Sequence, residues 1–105
     1  MSEWVAVGLA EGDLAPGRLR AAAVSGRELA IARLADGSFA VFDEWCTHEE
    51  CTLSDGDLEG DRVVCACHGS EFDVRTGAVL QGPATEPISV YEVRAAGGEL
   101  QVRIG

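Results

Sequence analysis

Cys46-Thr47-His48-Glu49-Glu50-Cys51 and Cys65-Ala66-Cys67-His68-Gly69-Ser70 between them hold every cysteine and both histidines of the 105-residue chain. Sixteen residues separate His48 from Cys65. Metals of intermediate softness recruit thiolate and neutral imidazole together, so two loops offering Cys46-x-His48 and Cys65-x-x-His68 can close around an inorganic centre without a large fold. These two runs are the candidate site, and the rest of the chain is the platform that must hold them.

Outward from the loops, short β-type stretches recur at 4–7, 18–24, 28–34, 39–43, 62–65, 88–94 and 99–104. The separators Ser25-Gly26, Asp36-Gly37 and Gly97-Gly98 suit tight turns with positive φ, which predicts three hairpins. In the last pair Ile88, Val90 and the Val93 region are expected to face Leu100, Val102 and Ile104 on one core face. The Ala-rich stretch 20–23 is too short and too closely flanked by Gly17 and Gly26 to hold a helix, and one helical turn is expected within 9–16. Between 44 and 87 the strands shorten, Gly and Asp become frequent, and nearly all Cys, His and Pro gather there. The expectation is a small antiparallel all-β domain spanning 1–105, with a loop-rich insert at about 44–87.

A 47% hydrophobic share with 6% aromatics describes an ordinary soluble globular chain, and no apolar run approaches the roughly eighteen residues that cross a bilayer. The net charge of −10 repels phosphate backbones and anionic lipid, so neither nucleic acid nor membrane is an expected partner; it would attract a basic protein surface, a solvated acidic surface with no partner being the alternative. Met1-Ser2-Glu3-Trp4 opens no basic-then-apolar segment, so the cytoplasm is the expected compartment. Four cysteines there more often bind metal or do redox chemistry than build a disulfide framework.

The two loops resemble those of the Rieske [2Fe-2S] family. Cys46-Thr-His-Glu-Glu-Cys51 is similar to its Cys-Thr-His-x-x-Cys loop and Cys65-Ala-Cys-His-Gly-Ser70 to its Cys-Pro-Cys-His-Gly-Ser loop. Phe72-Asp73, Thr76-Gly77 and Gly82-Pro83-Ala84 follow where such proteins carry similar residues. The resemblance implies an antiparallel β sandwich with a cluster-binding subdomain and one [2Fe-2S] cluster, with Cys46 and Cys65 on one iron and His48 and His68 on the other. Replacing two thiolates by neutral imidazoles leaves the oxidised site formally uncharged, so an added electron meets less repulsion than in an all-cysteine cluster.

Cys51 and Cys67 match the pair that forms a disulfide in Rieske proteins of the cytochrome bc type, and the resemblance implies a bridge, two buried thiols being the alternative. Soluble ferredoxins of ring-hydroxylating oxygenases generally lack this pair. Ser70 stands where a hydroxyl bonds a cluster sulfide, whereas Phe72 stands where the high-potential members carry a Tyr. That implies a potential within the Rieske span of about −150 to +300 mV and below its top. Gly82 and Pro83 match the loop that covers the cluster.

The role this implies is a soluble ferredoxin, carrying one electron from a flavoprotein reductase to a terminal oxidoreductase such as a Rieske non-haem iron oxygenase. Glu49, Glu50, Asp55, Asp57, Glu59 and Asp61 offer a basic partner a docking surface, a merely solvated acidic run being the alternative. A redox or iron–sulfur sensing or assembly accessory, or the small subunit of a larger oxidoreductase, would share the same cluster features. Structural zinc is the rival metal, since mixed Cys and His tetrahedra are common in zinc domains. Plant-type all-cysteine spacing fails because Ser54 occupies the position of its next ligand and both histidines are left idle. Catalysis by Cys67 with His68 is disfavoured because adjacent residues seldom point at one another. The anaerobically reconstituted protein should be coloured and give a rhombic paramagnetic spectrum after dithionite; a colourless zinc protein would refute the assignment.

Overall fold

The computed structural model describes residues 3–47, 50–67 and 69–104. Its strands in chain order are β1 (Glu3–Ala10), β2 (Leu19–Val24), β3 (Arg27–Arg33), β4 (Phe39–Asp43), β5 (Asp57–Glu59), β6 (Arg62–Val64), β7 (Glu71–Asp73), β8 (Val79–Gln81), β9 (Val90–Ala96) and β10 (Glu99–Ile104). The three turn pairs do form hairpins, β2–β3, β3–β4 and β9–β10. At the first, Ser25 (φ 50°) and Gly26 (φ 79°) both take positive φ while Val24 pairs with Arg27 across them. That turn geometry has the twist that two antiparallel strands need. The helical turn expected within 9–16 is a 3₁₀ turn at Glu11–Asp13, where the Asp13 carboxylate accepts the Ala10 N–H at 2.9 Å.

Six strands form one antiparallel sheet in the order β1-β10-β9-β4-β3-β2, and four form a second in the order β5-β6-β7-β8. The large sheet curls until β1 approaches β2, enclosing a core of Val7, Val24, Leu29, Ile31, Val41, Leu100 and Val102. Successive strand residues point to opposite faces. Ala30, Ala32, Ala40 and Phe42 therefore face outward from that core, where Leu53, Val63, Phe72, Val74 and Ile88 cover them in a second core under the small sheet. β3 and β4 are thus apolar on both faces, and they join the two halves of the molecule.

The sequence reading placed Ile88 and Val90 with Leu100, Val102 and Ile104, and the structure corrects this. Ile88 and Val90 pack into the second core, whereas Tyr91 and Val93 lie with Leu100 and Val102 in the first. Val90 and Val93 are an odd number of residues apart, so in one strand they cannot share a face. The reading also missed β5, β7 and β8, each three residues long and too short for alternation to register.

Arg75, in the turn after β7, clasps the small sheet to the β3–β4 turn. Its guanidinium lies 3.1 Å from Asp61 and 3.5 Å from Asp36. All three groups are largely exposed, so the clasp contributes little to stability. The Ser38 hydroxyl and N–H, with a lesser contribution from Arg75, hold the Asp36 carboxyl below its usual range.

Behind the small sheet, Gly77 (φ 82°) accepts the Ile88 N–H at 3.0 Å, and a Cβ there would sit 2.0 Å from the Ile88 carbonyl oxygen. Gly77→Ala should therefore destabilise the fold by about 2 kcal/mol or more, since it adds a close contact to an unfavourable backbone conformation. Thermal unfolding checks this, and an unchanged midpoint would show that the 77–88 contact yields freely.

Candidate metal centre

The first loop leaves β4 at Asp43 and is clamped at its base by Glu44. This side chain is 4% exposed, and its carboxylate accepts the Ser54 N–H at 2.8 Å and the Ser54 hydroxyl at 2.6 Å. A buried carboxylate must be compensated by hydrogen bonds, and Ser54 provides two. The Glu44 carbonyl also accepts the Leu53 N–H at 2.6 Å, so the loop's two ends are tied by main chain as well. Inside the clamp Trp45 bridges Thr52, and the Cys46 N–H donates to the Cys51 carbonyl at 2.9 Å. Closed this way, the loop turns Cys46 inward to 6% exposure.

The second loop is tighter. The Cys65 N–H donates to the Ser70 carbonyl at 2.8 Å and the Gly69 N–H to the Cys65 carbonyl at 3.1 Å. Cys65, 2% exposed, is packed in the same apolar cluster as Cys46, Leu53, Val63 and Phe72. The third loop carries the Gly82–Pro83 peptide, which is cis, and it is fastened to both others. The Thr47 hydroxyl donates to the Glu86 carbonyl at 2.7 Å, and the buried Ser70 hydroxyl accepts the Ala84 N–H at 3.0 Å. A hydroxyl that accepts one bond still has its proton to donate, so Ser70 can hold the third loop and face the site as well.

The four cysteines divide into two kinds. Cys51 and Cys67 form a disulfide joining the first loop to the second, with their Cα atoms 6.5 Å apart, as the resemblance implied. Cys46 and Cys65 are buried and outside any disulfide. The sulfurs of Cys51, Cys65 and Cys67 lie within 4.8 Å of one another, but two of the three are bonded together. The remaining thiols are one per loop in a common apolar cluster, which fits a metal group shared by two loops. His48, Glu49 and His68 lie outside the described residues.

Three positioning residues went unseen in the sequence reading. Glu44 and Ser54 are ten residues apart with no motif between them. Thr47 lies inside the Cys46-x-His48 run, where only the flanking residues were read for chemistry. Phe72 is fully buried opposite Val63 in the second core. Its ring fills that core.

Comparison with known proteins bears on the whole chain. The family model for the Rieske [2Fe-2S] domain matches residues 3–92. The sequence is 39% identical over 100 residues to ferredoxin CarAc of Metapseudomonas resinovorans, covering 94% of this chain and 92% of that protein. It is 40% identical over 86 residues to the anthranilate 1,2-dioxygenase ferredoxin subunit of Burkholderia cepacia, covering 81% and 79%. The structure superposes on the ferredoxin of carbazole 1,9a-dioxygenase from Nocardioides aromaticivorans IC177 with a TM-score of 0.89 at 33% identity, over 96% of this chain and 97% of that one. A nitrite reductase small subunit from Mycobacterium tuberculosis also gives 0.89, at 23% identity over 100% and 97%, which shows a shared fold alone.

Two substitutions test the geometry. Replacing Cys51 and Cys67 with Ser should cost about 3 kcal/mol of stability, the loop-closure value for a bridge of this span, read from thermal unfolding. No loss would mean that the hydrogen bonds of Thr47, Ser70 and Glu44 suffice without it. Phe72→Tyr should raise the reduction potential at a cost of about 1 kcal/mol or less; a loss of about 3 kcal/mol with no potential change would mean that the new hydroxyl is buried without an acceptor.

Proposed function

The chain belongs to the Rieske [2Fe-2S] family, and from that membership we propose that it is the ferredoxin of a ring-dioxygenase-type system, an electron carrier with no catalytic chemistry of its own. The observation that carries this reading is the contrast in similarity. Fold likeness is equal for a dioxygenase ferredoxin and a nitrite reductase subunit, but identity of 39–40% over most of the chain links it to ferredoxin components. Fold alone does not specify function; the site and the sequence around it do.

Cys46 and Cys65 are the thiolate ligands of one iron in this reading, and His48 and His68 the imidazole ligands of the other. When bound, the [2Fe-2S] group accepts and returns one electron at a time. The chain's own residues fix the surroundings. Burial of Cys46 and Cys65 excludes water from the sulfur side, and Ser70 aims a hydroxyl from a fully buried position. Thr47 and Ala84 fasten the third loop to the other two.

Partners in this reading are a flavoprotein reductase and a terminal oxygenase; for the oxygenase the support is the solved complex of oxygenase and ferredoxin in carbazole 1,9a-dioxygenase, to a chain of which this structure is similar with a TM-score of 0.87 at 36% identity. Glu50, Asp55, Asp57, Glu59 and Asp61 are exposed, and Glu49 lies outside the described residues. Asp61 is engaged by Arg75 and Glu59 by Arg62. Glu50, Asp55 and Asp57 are then the carboxylates to which a basic partner surface would dock. No helix among the described residues is long and apolar enough to cross a membrane. The compartment in this reading is the cytoplasm, where a cluster-bearing carrier with four cysteines is in keeping with metal and redox use of cysteine.

Reconstituted protein should take up one electron per chain from a flavoprotein reductase and pass it to a terminal oxygenase, at a rate that falls as salt is raised. Cys46→Ser and Cys65→Ser should each abolish the visible spectrum. Uptake without onward transfer to any oxygenase would favour a sensing role or a bound subunit.

A further inference from the structure

The Cys51–Cys67 bridge takes no part in the electron path proposed above, and its two residues are unequally exposed. Cys67 is exposed and Cys51 is half-buried. Both line a shallow surface hollow of about 300 Å³, with Trp45, Glu50, Asp55 and Ala66 around them. On the inner side the bridge lies against the buried Cys65, whose sulfur is within 4.8 Å of both bridging sulfurs. The bridge therefore spans from solvent to a residue of the site, and it joins two loops that are also tied through the third loop, held by Thr47 and Ser70.

We propose that Cys51–Cys67 is a site of reversible thiol–disulfide exchange, opened at the Cys67 sulfur by an uncharged or cationic dithiol, and that opening it disables the carrier by loosening the first loop from the second. The consequence for the carrier rests on the ligand reading given under Proposed function; the exchange itself does not. A thiolate of the reductant attacks the sulfur of Cys67, the more exposed of the two residues; the Cys51–Cys67 bond breaks, and Cys51 leaves as thiolate and takes a proton. The reductant's second thiolate then attacks its own sulfur in the mixed disulfide and releases Cys67. Two electrons and two protons pass to the bridge, and the dithiol becomes a disulfide.

Charge selects the reagent. Glu50 and Asp55 border the hollow, and the whole chain carries −10. An anionic thiol must enter against this field, while a cationic thiol is drawn in. The bridge is thus screened from an acidic monothiol pool without being sealed from solvent.

The test uses intact holo-protein, anaerobically, with its visible spectrum recorded first, so that an absent cluster is recognised as failure of the carrier reading and kept apart from this one. Alkylation and mass spectrometry then follow bridge opening by dithiothreitol, cysteamine and 2-mercaptoethanesulfonate at equal thiolate concentrations. The expected result is opening by dithiothreitol in the native protein, with cysteamine at least about tenfold faster than the sulfonate. In Glu50→Gln/Asp55→Asn that ratio should shrink toward one. Electron delivery to the acceptor should fall on opening and return on reoxidation, and the Cys51→Ser/Cys67→Ser variant should show no such thiol response. A native bridge that opens only after thermal unfolding, rates independent of thiol charge, or unchanged electron delivery after opening would each overturn the proposal.

Discussion

Burial of β3 and β4 on both faces is the constraint on which the rest of the molecule depends. Leu29, Ile31 and Val41 face one core and Ala30, Ala32, Ala40 and Phe42 face the other, so two sheets pack through one shared pair of strands. Three of the four residues on the second face are alanines, whose small side chains let the second core approach closely. A strand pair apolar on both faces cannot shift register without driving its whole pattern onto the wrong core. The start of the first loop, directly after β4, is therefore fixed in space.

Cys46 and Cys65 are buried members of that second core together with Leu53 and Phe72. Hydrophobic packing thereby orients two thiols before any metal chemistry is considered. What packing leaves open, directional bonds close: the Glu44 carboxylate on Ser54, the Thr47 hydroxyl on Glu86, and the Ser70 hydroxyl under Ala84. The first closes the base of the first loop, and the other two fasten the third loop to the first and the second, which gives the three loops a common geometry. The disulfide adds a covalent tie on the outer side, and its exposure makes that tie the one accessible to small reagents.

Much of this was legible in the residues. Hairpins at 25–26, 36–37 and 97–98 followed from turn chemistry, because positive φ is a local property. The candidate ligands and the cysteine pair followed from spacing and resemblance. Less visible were strands of three residues, whose pairing is set by neighbours, and the placing of Ile88 and Val90, whose face depends on where β9 begins relative to β4. Glu44, ten residues from its partner Ser54, left no local trace because a buried carboxylate is compensated in space and not along the chain.

The order of residues alone determined the donor types, their distribution over two loops and the β character of the platform, since all three are matters of composition, period and spacing. Only the folded chain decided that Cys46 and Cys65 share one apolar cluster while Cys67 faces solvent, that Ser70 supports the third loop, and that Phe72 fills the second core. Those outcomes depend on which strand faces pack together, and packing is a relation among residues far apart in the chain.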